Sequence, residues 1–116
     1  MSVRRVVPDI RSQAMEESRE FYGLFGFEEV MNQGWVMTLA SPENPTAQVT
    51  FVAEGRGAPD TLPDMSVEVD DVDAVYAAVL ASGAAVVLEL RDEEWGVRRF
   101  FVRDPNGRVV NVLSHR

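Results

Sequence analysis

Two tryptophans are the side chains in this sequence best suited to holding a small molecule. Trp35 follows Gly34 and Trp95 precedes Gly96, and each indole stands at the mouth of a short apolar segment. A large flat ring can stack on a conjugated ligand with little loss of rotamer entropy. Stacked rings at a concave surface are a common means of binding such ligands. We therefore predict that both indoles line a ligand-binding site.

A second group of candidate site residues is polar. Asp64, Ser66 and Glu68 alternate along one segment, so their side chains share a face if that segment is a strand. Together with Asn111 they could anchor a cationic or hydrogen-bonding ligand, although Asp64 and Glu68 could equally be solvated surface residues. Apolar strand residues would form the wall of the site, although burial in the core is their usual fate. The predicted ligand-binding set is Trp35, Met37, Phe51, Asp64, Glu68, Trp95, Phe100 and Asn111.

Missing residue types exclude most catalytic arrangements. The sequence has no Cys and no Lys, all eleven basic residues are Arg, and His115 is the only His. Thiol nucleophiles, thiolate zinc sites, Schiff bases, phosphate-binding P-loops and Ser–His pairs all need residues that are absent or too few. Any polar chemistry would depend on carboxylates, amides, hydroxyls, guanidinium groups and indoles. Arg98 and Arg99 should occupy opposite strand faces, so at most one faces a ligand.

Composition predicts one globular domain. The chain has 116 residues, of which 46% are hydrophobic and 26% charged, and a domain of this size can bury a core without disulfides. The net charge of −8 disfavours nucleic acid and anionic membranes and suits a neutral or cationic small-molecule ligand. No apolar run approaches the about 18 residues of a membrane span, and Arg4 and Arg5 precede no apolar signal segment. We expect a cytoplasmic protein.

The elements that must position these residues occur in the same order in two halves. Each half predicts a strand, an amphipathic helix and three further strands. Gly26 and Gly83 end the two helices, and Asp104-Pro105-Asn106-Gly107 forms the last turn. The predicted strands are Val3 to Ile10, Phe27 to Met31, Trp35 to Ala40, Ala47 to Ala53, Met65 to Val69, Ala84 to Leu90, Val97 to Val102 and Arg108 to Leu113. The predicted helices run from Met15 to Phe25 and from Asp70 or Asp71 to Gly83.

This repetition predicts an α+β fold of two βαβββ modules. Module one covers residues 3–53, a linker rich in Gly and Pro covers 54–63, and module two covers 64–113. Neither module is large enough to bury one face of a four-stranded sheet alone, so the two should pack together. With one helix on each outer face, we expect a curved mixed sheet around a cleft, and the site inside that curve.

Several motifs resemble those of the vicinal oxygen chelate superfamily, which includes glyoxalase I, extradiol dioxygenases and bleomycin resistance proteins. The second half carries MSVEVDDVDA from Met65 and EWGVRRFFVRDPNGRVVNVL from Glu94. The first half carries Ser18-x-x-Phe-Tyr22 and then Leu24-Phe-Gly-Phe27. The Trp-Gly, Phe-Phe and Asp-Pro-x-Gly signals are specific for the superfamily but do not select a function within it.

The resemblance implies a position for a divalent metal, but the residues there suit one poorly. Enzymes of the family hold the metal with His, Gln or Glu from the first, fourth, fifth and eighth strands. The corresponding residues here are Val7, Thr50, Asp64 and Asn111. Only Asp64 is a good ligand for a divalent cation, so we predict no metal and no cofactor. A shift of register by two would instead bring in Asp9 and Gln48 as oxygen donors.

Three functions remain open at this point. The first is a binding protein similar to the bleomycin resistance proteins, which sequesters an aromatic or cationic compound without chemistry. The second is a metal-dependent lyase, isomerase or dioxygenase of the glyoxalase type. The third is a metal-free isomerase or epimerase in which Asp64 or Glu68 is a general base, which would require a raised pKa. The resemblance also implies a homodimer.

Overall fold

The computed structural model of the chain describes residues 2–53 and 62–116, so the predicted linker lies outside the described residues except at Leu62 and Pro63. The described residues form eight strands and two helices. In chain order they are β1 (Val3–Ser12), α1 (Met15–Gly23), β2 (Glu28–Asn32), β3 (Val36–Ala40), β4 (Gln48–Ala53), β5 (Met65–Val69), α2 (Val72–Ser82), β6 (Val86–Glu93), β7 (Val97–Arg103) and β8 (Val109–His115). The predicted α+β class and the two βαβββ modules are confirmed.

The described residues separate into two compact units. The first unit holds residues 7–53 with Leu62, and the second holds residues 2–6 with 63–116. In the first unit the strands run in the order β2, β3, β4, β1, and β1 pairs with β4 in parallel. In the second unit the order is β5, β8, β7, β6, and β5 pairs with β8 in parallel. The single domain and the cleft stay predictions.

In the first unit, one face of the sheet packs beneath α1. Met37 pairs with Phe51 and Leu39 with Val49 across β3 and β4, and cross-strand partners share a sheet face. These four side chains are buried, and Tyr22 of α1 places its ring 5.3 Å from that of Phe51. The alternation predicted from the sequence thus puts the apolar set of these strands under the helix.

In the second unit, α2 covers one face of the sheet in the same way. The carboxylate of Asp71 caps the helix by accepting a hydrogen bond from the backbone N–H of Ala74 at 3.1 Å. The helix ends at Gly83, whose φ of +77° is one that glycine adopts without strain. Tyr76 packs on Phe100 with ring centroids 4.9 Å apart. No helix among the described residues is long and apolar enough to cross a membrane.

Candidate functional site

The face of the second sheet that turns away from α2 carries most of the polar candidate residues. On β7, Phe100 packs under α2 and Arg98 pairs with Asp73 of α2, so Arg99 and Phe101 must point to the other face. Asn111 lies opposite Phe101 on β8 and opposite Ser66 on β5. We name this surface the polar face. It includes Ser66, Glu68, Arg91, Glu93, Arg99, Phe101 and Asn111.

The Arg99 side chain lies at the centre of the polar face. It is only 13% exposed, and its guanidinium donates to the carboxylate of Glu93 with Nη2 and Oε2 2.7 Å apart. The guanidinium carbon lies 5.1 Å from the Trp95 ring centroid and 4.8 Å from that of Phe101. Both distances are within the range of a cation–π contact. Trp95 itself is 58% exposed, in the turn between β6 and β7.

Two guanidinium groups share one carboxylate at this point. Arg91 also pairs with Glu93, with Nε and Oε1 2.8 Å apart, and Glu93 is only 8% exposed. Burial lowers the pKa of Arg99, and the charge and hydrogen bond of Glu93 oppose that shift. Arginine stays protonated in proteins, so the three groups together carry one positive charge in excess.

Two buried polar atoms of the polar face have no hydrogen-bond partner among the described residues. They are Nε of Arg99, a donor, and Oδ1 of Asn111, an acceptor. The other amide atom of Asn111 is occupied, because Nδ2 donates to Oγ of Ser66 at 3.0 Å. Native proteins contain few such unpartnered atoms, since each one carries its full cost of desolvation. This face therefore offers one donor and one acceptor to a ligand.

Glu68 lies on the same face but its carboxylate is already bound on both oxygens. Oε1 accepts from Nε of Arg5 at 2.6 Å, and Oε2 lies 2.7 Å from Nδ1 of His115. Burial raises the pKa of Glu68, but the hydrogen bonds from His115 and Arg5 outweigh it, so the pKa is lowered. The raised pKa that a general base requires is absent at Glu68. His115 is 54% exposed although its ring is paired with Glu68.

The pairing of Glu68 should make the protein less stable in acid. A lowered folded-state pKa means that the stabilisation is complete above the ordinary value of 4.5 and is lost as the pH falls below it. We expect Glu68→Gln to lower the free energy of unfolding by about 2 kcal/mol at pH 7, the worth of hydrogen bonds to a charged group. The difference from wild type should shrink below about pH 4.5 in urea titrations. Glu89→Gln, at an exposed position of β6, is the control, and an equal effect there would contradict the assignment.

The positions that correspond to the family's metal ligands do not suit a cation. Val7 has no donor atom and is buried, and Thr50 donates to or accepts from Thr38 with the two hydroxyls 2.9 Å apart. Asp64 accepts from the backbone N–H of Val109 at 2.9 Å, and the nitrogen of Asn111 faces Ser66. Among the described residues there is no group of three or more His, Cys, Asp or Glu that could hold a metal ion. This donor set does not fit a divalent cation.

The structure places the predicted ligand-binding residues in different surroundings. Trp95, Glu68 and Asn111 lie on or beside the polar face, while Asp64 fastens the start of β5 to β8. Trp35 belongs to the first unit, where it is half-buried and its carbonyl accepts from Ala53 at 2.7 Å. Three further members lie in the hydrophobic core beneath the helices, namely Met37, Phe51 and Phe100.

Sequence reasoning missed Glu93 and did not choose between the two arginines of β7. The sequence predicts that the sixth strand ends at Leu90, but β6 continues to Glu93, which pairs with Val97. Only the position of α2 shows that Arg99, and not Arg98, faces away from the helix. An acidic residue one hairpin turn before an Arg-Arg pair is the sequence signal that could have indicated this ion pair.

The other side of the second sheet holds a groove of different character. It has a volume of about 400 Å³ and lies between α2, β5 and the first residues of the chain. Aliphatic side chains line it, with the hydroxyls of Ser2 and Ser82 at its edge. The two unpartnered atoms and the cluster of Arg91, Glu93 and Arg99 lie on the opposite face, so we place the candidate site on the polar face.

Comparison with solved structures supports the fold. A glyoxalase/bleomycin resistance protein/dioxygenase superfamily member from Vibrio splendidus 12B01 is 19% identical over 97% of this chain and 99% of its own, with a TM-score of 0.74. Methylmalonyl-CoA epimerase from Mycobacterium tuberculosis is 18% identical over 98% and 87%, with a TM-score of 0.69. A Mn(II)-bound glyoxalase from Novosphingobium aromaticivorans is 21% identical over 97% and 38%, with a TM-score of 0.66. Similarity at this level shows a shared fold and not a shared activity.

Sequence comparison identifies the family. No curated protein matches the chain significantly. Residues 4–112 match the Glyoxalase/Bleomycin resistance protein/Dioxygenase superfamily, which agrees with the two βαβββ modules and with the structural neighbours. Since this match covers almost the whole chain, the protein belongs to the glyoxalase/bleomycin resistance protein/dioxygenase superfamily.

Proposed function

We propose that the protein binds a small aromatic compound on the polar face of its second module and sequesters it without chemistry. The observation that carries this proposal is the pair of buried, unpartnered atoms on one sheet face, Nε of Arg99 and Oδ1 of Asn111. A ligand that accepts from the first and donates to the second would satisfy both. A binding protein of this kind protects a cell from a toxic compound by mass action, because it lowers the free concentration.

The indole of Trp95 covers part of the Arg99 guanidinium, and a ligand bound at Arg99 would displace it. The indole and the guanidinium are in cation–π contact, which is worth about 0.5–1 kcal/mol at an exposed site. Each unpartnered buried atom costs about 1–3 kcal/mol, so a ligand that satisfies both atoms gains more than the displaced contact loses. Trp95 is more than half exposed and precedes Gly96 in a turn. The indole can therefore rotate away from the guanidinium and stack on the ligand that replaces it.

A role without chemistry is favoured by the state of the acidic groups. The third function open from the sequence requires a carboxylate of raised pKa, and Glu68 has a lowered one. Asp64 is engaged by the Val109 backbone and lies 4.0 Å from Arg108. The metal-dependent alternative needs several charged or imidazole donors, and the residues at the family's positions supply one carboxylate. Elemental analysis of the purified protein distinguishes that alternative from a binding protein, since stoichiometric metal would favour an enzyme.

Tryptophan fluorescence tests the proposal, because the two indoles can be separated by mutation. In a Trp35→Phe variant, titration with antibiotics and simple benzene derivatives should give a saturable change from Trp95 alone. In a Trp95→Leu variant, the signal from Trp35 should not change, and affinity measured by calorimetry should fall about tenfold, the worth of one aromatic contact. A response confined to Trp35, or no saturable response with any compound, would contradict the proposal.

A further inference from the structure

We infer that the compound held on the polar face is an aromatic acid that also carries a hydrogen-bond donor, an inference that rests on the proposed function. Two properties of the polar face point to such a ligand, namely the chemistry of its two unpartnered atoms and its local charge. Each of these restricts the ligand in a different way, so each is tested by a different probe.

The two unpartnered atoms require opposite groups from the ligand. Nε of Arg99 can only donate, since a guanidinium has no acceptor, so the ligand atom that meets it must be an acceptor. Oδ1 of Asn111 can only accept, so the ligand atom that meets it must carry a hydrogen. Nδ2 of Asn111 donates to Oγ of Ser66 at 3.0 Å, so Oδ1 is the amide atom left to meet the ligand. A ligand with acceptors alone satisfies one of the two atoms.

The local charge makes an anionic acceptor better than a neutral one. Glu93 lies between Arg91 and Arg99 and neutralises one of the two guanidinium groups. A carboxylate that meets Nε of Arg99 would provide the missing negative charge, and hydrogen bonds between charged groups are stronger than neutral ones. The net charge of −8 acts against an anion, but in physiological salt exposed charges are screened beyond about 8 Å. The cationic ligand considered from composition is thus disfavoured at this face.

Trp95 and Phe101 explain why the acid should be aromatic. Both rings lie over the guanidinium of Arg99, at 5.1 Å and 4.8 Å from its central carbon. Phe101 is 2% exposed and fixed in the sheet, whereas Trp95 is in an exposed turn. The N–H of Nε lies in the guanidinium plane, so a carboxylate that meets it holds its own ring at the edge of the cation, where the displaced indole can stack on that ring.

A matched series of ring compounds tests charge and donor separately, with calorimetry on the wild-type protein. The charge series is 4-aminobenzoate, 4-aminobenzamide and 4-aminobenzamidine, which share the amine donor and are anionic, neutral and cationic. We expect 4-aminobenzoate to bind about tenfold more tightly than the other two, a difference of about 1.4 kcal/mol. The donor series replaces the amine by hydrogen or by a nitro group, and both benzoate and 4-nitrobenzoate should bind more weakly than 4-aminobenzoate.

Two variants of β7 connect the preference to Arg99. Arg99→Gln should remove the preference for the acid, whereas Arg98→Gln should keep it, because Arg98 lies on the opposite face and pairs with Asp73 and Asp92. Thermal unfolding shows whether each variant folds. If Arg99→Gln does not fold, the compound series on the wild-type protein still decides whether the site prefers an acid. An equal loss in Arg98→Gln would show that the preference comes from overall charge and would overturn the inference.

The outcomes separate this inference from the function on which it rests. If the amide or the amidine binds as tightly as the acid, the inference is wrong and the proposed binding function stands. If 4-nitrobenzoate binds as tightly as 4-aminobenzoate, the donor requirement is wrong. If none of the compounds binds at concentrations of about 10 mM, their binding free energies are all weaker than about −3 kcal/mol. The inference and the proposed site are then both wrong.

Discussion

Replacement of Phe100 by alanine should lower the free energy of unfolding by about 3–5 kcal/mol, the usual cost of removing a buried aromatic side chain. Phe100 has no exposed surface, and it packs on Tyr76 at a centroid distance of 4.9 Å. The other buried members of its core cluster are all β-branched valines, namely Val69, Val72, Val102 and Val112. These stiff side chains cannot easily refill the space, so a cavity should remain.

Urea denaturation measures this loss in the free energy of unfolding directly. An exposed residue of α2, the helix that packs on Phe100, gives the control. Leu80 lies on α2 with 54% of its surface exposed, so Leu80→Ala should cost less than about 1 kcal/mol. Phe100 faces α2 and not the polar face, so the folded fraction of Phe100→Ala should bind ligand as wild type does. A loss below about 1 kcal/mol would show that this core is not closed around Phe100.

Sequence patterns predicted the elements well because alternation and helical periodicity are local properties. The run Arg98-Arg99-Phe100-Phe101 shows by itself that successive side chains point to opposite faces. It does not show which face meets a helix, because both faces carry one Arg and one Phe. The contacts of Tyr76 and Asp73 with β7 decide this, and both residues are more than twenty positions away along the chain. Which face of a strand packs against a helix is decided by tertiary contacts, so no local sequence pattern predicts it.

The two tryptophans show why the candidate site was harder to predict than the fold. Each adjoins a glycine in a corresponding place of its module, so the sequence predicted equivalent roles. Trp35 is half-buried at the start of β3, where its backbone bonds with Ala53. Trp95 is exposed and covers a buried guanidinium. The difference comes from Arg99, whose guanidinium lies against the Trp95 ring, and from β6, which extends to Glu93 through its pairing with β7.

Glu93→Gln should lower the free energy of unfolding by about 3 kcal/mol, almost as much as Phe100→Ala. The substitution leaves the buried guanidinium of Arg99 without its counter-ion. The side chains of Glu93 and Arg99 are 8% and 13% exposed, so water cannot replace the lost partner. The Glu93→Gln/Arg99→Gln double variant should recover most of the loss, since no buried charge is then unpaired. Arg91→Gln is the control, and it should cost under about 1 kcal/mol because Arg91 is 54% exposed.

The same substitution should have the opposite effect on ligand binding, which links the ion pair to the proposed site. In Glu93→Gln the excess positive charge rises from one to two, because Arg91 and Arg99 lose their shared carboxylate. An aromatic acid then becomes the only anion that meets Arg99, so 4-aminobenzoate should bind about tenfold more tightly while the protein alone is less stable. Calorimetry and urea denaturation on the same variant measure the two effects. Weaker binding together with lower stability would mean that Glu93 shapes the site and does not compete with the ligand for Arg99.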